Sequence, residues 1–361
     1  MRIQRYLVAE CAVLVLALAG SGLVIRSLAR LVFAHHPAAP AIAEREARAM
    51  PGLGPRLAEP DPLQARDPDT TEESAGTFMG MEDDFLIARL RSQSIVRMKF
   101  NKGGSSLSFR VDFADGSRAA FKPAQTNLQT IPRKEVAAYR LNRLLGLGAV
   151  APATPRLVNR AEMFENLHPE TVPMLPRIRA ETIFDPRGTT AGVMMYWIPV
   201  IKDSGLDTPE GISQSTQWLT HGQTIPASKH AVAAQLSDML VFDFLTANPD
   251  RYSGGNMLTN EDGSRLFFMD NTMSFFIEPE GNDKTRIALH RAQRFSRRLY
   301  RALDRISEES LAQSLAQASE GEYEILTKPE IRAVVARRDY VKNYIEGLAS
   351  SYGGPEVLYF P

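Results

Sequence analysis

Residues 236–276, LSDMLVFDFLTANPDRYSGGNMLTNEDGSRLFFMDNTMSFF, constrain this chain more than any other stretch. The spacing predicts an amphipathic helix ending near Asn248, then a tight loop marked by Pro249 and by Gly254-Gly255. An apolar strand, Leu266-Phe267-Phe268-Met269, follows and delivers Asp270-Asn271 at its end. The loop carries Asp250, Arg251 and Asn256, so two carboxylates and an amide come from a loop and a strand end rather than from a solvated helix face. Phosphoryl transfer needs such a set. One carboxylate, Asp250, orients or deprotonates the attacking hydroxyl, while Asp270 and Asn256 are the candidate ligands of Mg2+ or Mn2+. Asp243 interrupts the apolar helix segment and is expected to partner Arg251 or the loop backbone.

Upstream, residues 94–100, 106–113 and 117–122 alternate as strands of an antiparallel meander, with Asp115-Gly116 as a hairpin turn. The tip Gly103-Gly104-Ser105 is a candidate phosphate-covering loop, since its backbone N–H groups can lie over an anion. Lys122 ends the third strand, and Glu135 opens a helix predicted over 132–145 and stopped by Gly146 and Gly148. A Lys–Glu pair in that order holds the lysine on nucleotide phosphates, so Lys122 and Glu135 join Asp250 as candidate catalytic residues. The apolar run 193–200 ends at a proline as a lining strand or hinge, with Tyr196 and Trp197 as candidate nucleotide contacts. From residue 229 onward the pattern is mainly helical, with a basic run at 290–303 expected to form a solvated face and a last amphipathic helix at 330–348.

Lys+Arg and Asp+Glu both number 42, so no net field recommends nucleic acid as a partner. Cys11 is the only cysteine of 361 residues, which excludes a disulfide framework and a cysteine-built zinc site in the folded part. An uncharged run at 11–25 follows Arg2 and Arg5, and residues 1–34 are read as a signal-anchor membrane helix. Residues 35–77, rich in Pro and Ala, are read as a flexible tether. The rest divides into a strand-rich part, 78–200, and a helical part, 201–361. This order fits an α+β, bilobal fold with a small antiparallel β lobe over a larger helical lobe and a nucleotide between them.

The run 238–251, DMLVFDFLTANPDR, followed by Phe268-Met269-Asp270-Asn271, resembles the atypical secretory-pathway kinases of the four-jointed and Golgi casein kinase group. Residues 121–127 and 134–156 are similar to their β3–αC region and to phosphoinositide 3/4-kinase-like domains. The resemblance implies a bilobal protein-kinase-like fold and ATP- and metal-dependent transfer of a phosphoryl group to a hydroxyl. It matches Lys122 to the ATP lysine, Glu135 to the helix glutamate, Asp250 to the catalytic aspartate and Asp270 to the metal aspartate. It also implies an anchored domain outside the cytosol. Asn256 lies six residues after Asp250 where five is usual in kinases, an excess that the extra glycine is expected to absorb. The first acceptor reading is Ser/Thr of a protein; the alternatives are a sugar or lipid head group, or a membrane-tethered nucleotide-binding module without turnover.

Overall fold

The computed structural model describes residues 76–319 and 324–361. The anchor at 1–34 and all but the last two residues of the tether at 35–77 lie outside the described residues. Among the described residues no helix is long and apolar enough to cross a membrane.

A short hairpin, β1 (Thr77–Phe78) and β2 (Met81–Glu82), leads into α1 (Asp83–Ser92) and then into the meander of β3 (Ile95–Phe100), β4 (Phe109–Phe113) and β5 (Arg118–Pro123). Strict alternation along β4 buries Phe109, Val111 and Phe113 on one face. Gly116 turns the chain with φ 81°, and Asp115 Oδ1 accepts the Ser117 N–H at 2.9 Å. After α2 (Arg133–Leu145) come β6 (Ala153–Asn159), α3 (Arg160–Glu165), α4 (Leu175–Glu181) and β7 (Thr189–Tyr196). The five strands form one antiparallel sheet in the order β3-β4-β5-β7-β6. Strand β7 starts four residues earlier than its apolar run announces, because Thr189 already pairs with Asn159, and Pro199 cannot extend the ladder beyond its end. Gly192 sits where a Cβ would come 2.4 Å from the Phe121 ring, so β7 can lie this close to β5 only with glycine there.

The helical half begins with β8 (Lys202–Asp203) and α5 (Pro209–Leu219), followed by α6 (His230–Thr246) and the hairpin β9 (Met257–Thr259) and β10 (Leu266–Phe268). These strands pair antiparallel in the order β10-β9-β8. Helix α6 is not amphipathic over its last turns: residues 236–246 are buried on every face, and only the first turns see solvent. It stops at Ala247, which takes the left-handed conformation (φ 51°).

The chain closes with α7 (Asp283–Leu289), α8 (Arg297–Ala302), α9 (Glu308–Ser319), α10 (Lys328–Tyr352) and α11 (Gly354–Val357). The basic run is not one solvated helical face. Residues 290–296 are irregular, and Arg294 is buried, donating to the carbonyls of Trp218 and Gln223 beneath the Tyr359 ring.

Helix α2 is the element that joins the two halves. Val136, Tyr139, Leu141 and Leu145 belong to the same core as Leu236, Leu240 and Phe244 of α6 and Val334 and Val341 of α10. A second core, with Phe109, Phe121 and Ile178, lies on the other side of the sheet.

Candidate active site

Ala119 and Phe121 point into that second core, so the period of two turns Lys122 to the opposite face, beneath α2. Its ammonium is buried and donates to Glu135 Oε1 at 2.8 Å and to Asp270 Oδ1 at 2.7 Å. Burial alone would discharge Lys122, but the Asp270 and Glu135 carboxylates outweigh it and hold its pKa above the ordinary lysine value. Burial likewise disfavours the charge on Asp270, yet Lys122 and the hydroxyl of Thr272 bring its pKa down to about 2. The second oxygen of Glu135 accepts the backbone N–H and side-chain amide of Asn271, at 3.1 and 3.2 Å. One carboxylate on α2 thus fixes both the lysine and the strand end.

Asp270 sits at φ 48°, a left-handed conformation that costs free energy for any residue but glycine. Its neighbours hold it there. Met269 N–H donates to the Asn256 carbonyl at 3.2 Å, and Asn248 Nδ2 reaches the Asp270 carbonyl at 3.3 Å. Among the described residues the hydrogen bonds to the Asp270 carboxylate fall on Oδ1, from Lys122 and Thr272.

Arg251 is the hub of the loop and is 1 % exposed. It grips both oxygens of Asp243 at 2.9–3.1 Å, confirming the expected partner. It also donates to the Asn256 carbonyl at 2.9 Å, to the Met269 carbonyl and to Asn271 Oδ1 at 2.9 Å. The loop and the strand end are therefore positioned by one guanidinium. Asn256 Nδ2 bonds the Asp250 carbonyl at 2.9 Å and approaches Asp250 Oδ2 at 3.3 Å. The six-residue spacing closes because Gly254 (φ 96°) and Gly255 (φ 74°) both take conformations that only glycine adopts freely. Among the described residues Asp250 Oδ1 accepts no hydrogen bond, and Asp250 is half-buried.

The remaining candidates lie farther out. Gly103, Gly104 and Ser105 form an exposed β3–β4 loop at the Lys122 end of the sheet. Gln125 ties its return by bonding the N–H and carbonyl of Leu107 at 2.7 and 3.0 Å. Tyr196 lies three residues from Val193, the partner of Lys122, or roughly 10 Å along the strand. Its ring meets Phe78 edge-on at 5.7 Å, and Trp197 beside it is half-buried. Sequence reasoning missed Asn248, Thr272 and the contacts that anchor α2 from below. Arg133 forks onto Glu330 with two bonds of 2.9 Å, and Lys134 donates to the Ser274 carbonyl. Asn248 follows Ala247 at the helix end and could have been read as a capping amide.

The donor set suits a divalent cation and phosphates. Lys122, Glu135, Asp270 and Asp250 sum to two negative charges, and carboxylate with amide oxygen are hard donors. Among the described residues no three His, Cys, Asp or Glu side chains gather into a metal cage. Two protein donors leave the other positions to phosphate oxygens and water, the usual coordination of such an ion.

Solved structures share this architecture. The crystal structure of the Golgi casein kinase with Mn/ADP bound has 16% identity and a TM-score of 0.60, over 76% of this chain and 78% of that one. A second crystal structure of the Golgi casein kinase has 17% identity and a TM-score of 0.59, over 76% and 78%. The structure of hydra Fam20 with sugar has 20% identity and a TM-score of 0.57, over 75% and 90%. The fold, an α+β arrangement of antiparallel sheets and helices, is therefore similar to that of the Fam20 and Golgi casein kinase structures. In sequence, residues 82–276, more than half of the chain, match the four-jointed box protein middle domain. The chain belongs to the four-jointed box family. Comparison with curated proteins found no match.

Proposed function

We propose that this chain is an ATP- and metal-dependent kinase that transfers the γ-phosphate to a hydroxyl, in the first place Ser or Thr of a protein. The observation that carries this reading is Lys122 held between Glu135 and Asp270, with Asp250 pinned to the same strand end through Arg251 and Asn256. In this reading 78–200 and 201–361 act as two lobes around the nucleotide, and Lys122 holds phosphate oxygens while Glu135 keeps it aimed. Asp250 Oδ1 accepts the proton of the acceptor hydroxyl. Asp270 and Asn256 would hold Mg2+ or Mn2+, which when bound neutralises phosphate charge. The Mn/ADP in a structurally similar kinase supports that assignment. The Gly103–Ser105 loop and the Tyr196–Trp197 segment border the nucleotide in this reading. Residues 1–34 tether the domain outside the cytosol.

The test is phosphate transfer by the purified protein with ATP and Mn2+ or Mg2+, offered acceptor proteins and sugars and read by intact mass. Wild type is expected to label a protein acceptor, and Asp250→Ala and Asp270→Ala to lose about 10^3-fold or more. Labelling confined to sugars would move the acceptor class, and nucleotide binding without transfer to any acceptor would reduce the protein to a binding module.

A further inference from the structure

A groove of about 790 Å3 opens where α3, the 179–188 segment and the edge of β6 meet. It is lined by Arg160, Arg179 and Arg187, by Phe164 and Phe184, and by Glu165. The Arg160 guanidinium lies over the Phe184 ring at 4.4 Å, and that of Arg179 over Phe164 at 5.5 Å, with the two rings 6.2 Å apart. None of these three guanidinium groups has a carboxylate partner among the described residues. Other surface arginines of the sheet half do: Arg89 pairs with Asp115 at 2.5 Å, Arg118 with Asp112 at 3.2 Å and Arg177 with Glu181 at 2.9 Å. Three cations without a carboxylate partner thus line one concavity.

The charge count names the ligand class. Three arginines and one glutamate leave two positive charges, which a phosphate monoester, carrying about −1.5 to −2, balances. A guanidinium already lies over each ring, and its N–H donors favour an anion with several acceptor oxygens over a neutral sugar ring. Its volume exceeds one phosphate and has room for flanking residues. The groove is also separate from the active site. Thr189, at its level on β7, is four residues from Val193 opposite Lys122, or roughly 13 Å along the strand.

We propose that this groove binds a phosphorylated polypeptide segment, with its phosphate on Arg160, Arg179 and Arg187. The anion chemistry stands on the groove alone, and the choice of a polypeptide carrier rests on the protein-kinase reading of the active site. The test is fluorescence anisotropy of the full-length protein, without ATP, using a labelled phosphoserine peptide and its unphosphorylated twin. Inorganic phosphate and vesicles containing phosphoinositide are added as competitors. The phosphopeptide is expected to bind at least tenfold tighter than its twin, and each Arg→Gln change at 179 or 187 to weaken it roughly tenfold. Lys122→Ala is expected to leave binding intact.

Equal binding of both peptides, or indifference to the arginine changes at unaltered melting temperature, overturns the proposal. So does loss of binding in Lys122→Ala alone, which would seat the phosphate in the active site. Competition by inorganic phosphate at the affinity of the peptide removes the polypeptide carrier, and binding only to vesicles makes this a head-group site. Because no turnover is read, an inactive protein that still binds leaves the groove standing, and an active one that does not bind refutes the groove alone.

Discussion

Asp238 and Asp270 show how neighbours decide the fate of a carboxylate. Burial disfavours the charge on both. Asp270 has Lys122 at 2.7 Å, and its pKa falls to about 2. Asp238, inside α6, finds no hydrogen-bond donor for Oδ1 among the described residues, and burial lifts its pKa to about 7 against a weaker pull from Arg298. The signs are opposite. The depressed Asp270 contributes stability above its unfolded value of 3.8 that is lost only as pH falls toward 2. The raised Asp238 contributes stability present below 3.8 that is lost as pH rises through 7. Each unit of separation is about 1.4 kcal/mol, so the ionised Asp238 costs on the order of a few kcal/mol in alkaline solution. Asp238→Asn is therefore expected to match wild type near pH 4 and to exceed it at pH 8, in chemical-denaturation midpoints taken across that range. A variant-minus-wild-type difference that does not grow with pH would show that Asp238 is solvated or paired.

At the scale of elements, α2 is held from two sides. Glu135 ties it to Lys122 and Asn271, and Arg133 and Lys134 just before it tie it to Glu330 and Ser274 of the helical half. Glu330 also closes the capping box of α10 with Thr327. Removing it leaves Arg133 and the buried Lys134 without their carboxylate, so Glu330→Ala is expected to cost about 3 kcal/mol of unfolding free energy. If the clamp positions Glu135, kcat per folded molecule should fall as well, with Glu330→Gln recovering part of it. Unchanged kcat in the folded fraction would leave Glu330 a purely structural residue. The helix itself was legible in the sequence, because Val136, Tyr139, Leu141 and Leu145 repeat at helical spacing and Gly146 supplies the left-handed stop. The clamp was not, because its partners are 197 residues apart and no local pattern links them. Helix α6 misleads in another way. Its first turns expose polar residues and suggest one wet face, but tertiary packing covers all sides of 236–246.

Across the whole molecule, the sheet half supplies Lys122 and the helical half Asp270, and each is the other's counter-ion. The order Lys, Glu, loop Asp, strand-end Asp was readable because each member sits at the end of a recognisable element. Arg251 as hub was only half readable: Asp243 pointed to it, whereas its bonds to the carbonyls of Asn256 and Met269 depend on how β9 and β10 pair. The basic run failed as a surface because charge alone does not say that Arg294 is buried under Tyr359. The Lys122–Asp270 pair also carries a thermodynamic consequence. A cation that binds Asp270 alone leaves the Lys122 ammonium with one carboxylate fewer, and a phosphate that binds Lys122 alone leaves Asp270 without its cation. Only both together exchange partners with the charges still matched, so metal and nucleotide should bind cooperatively. In thermal melts, Mn2+ or ADP alone is expected to move the midpoint little, and the two together, at 100-fold excess over Kd, by about 4–5 °C. Asp270→Asn should keep the fold and lose the joint effect, since its amide cannot replace the carboxylate toward the cation. Additive shifts from metal and nucleotide would mean that the two groups do not trade partners on binding.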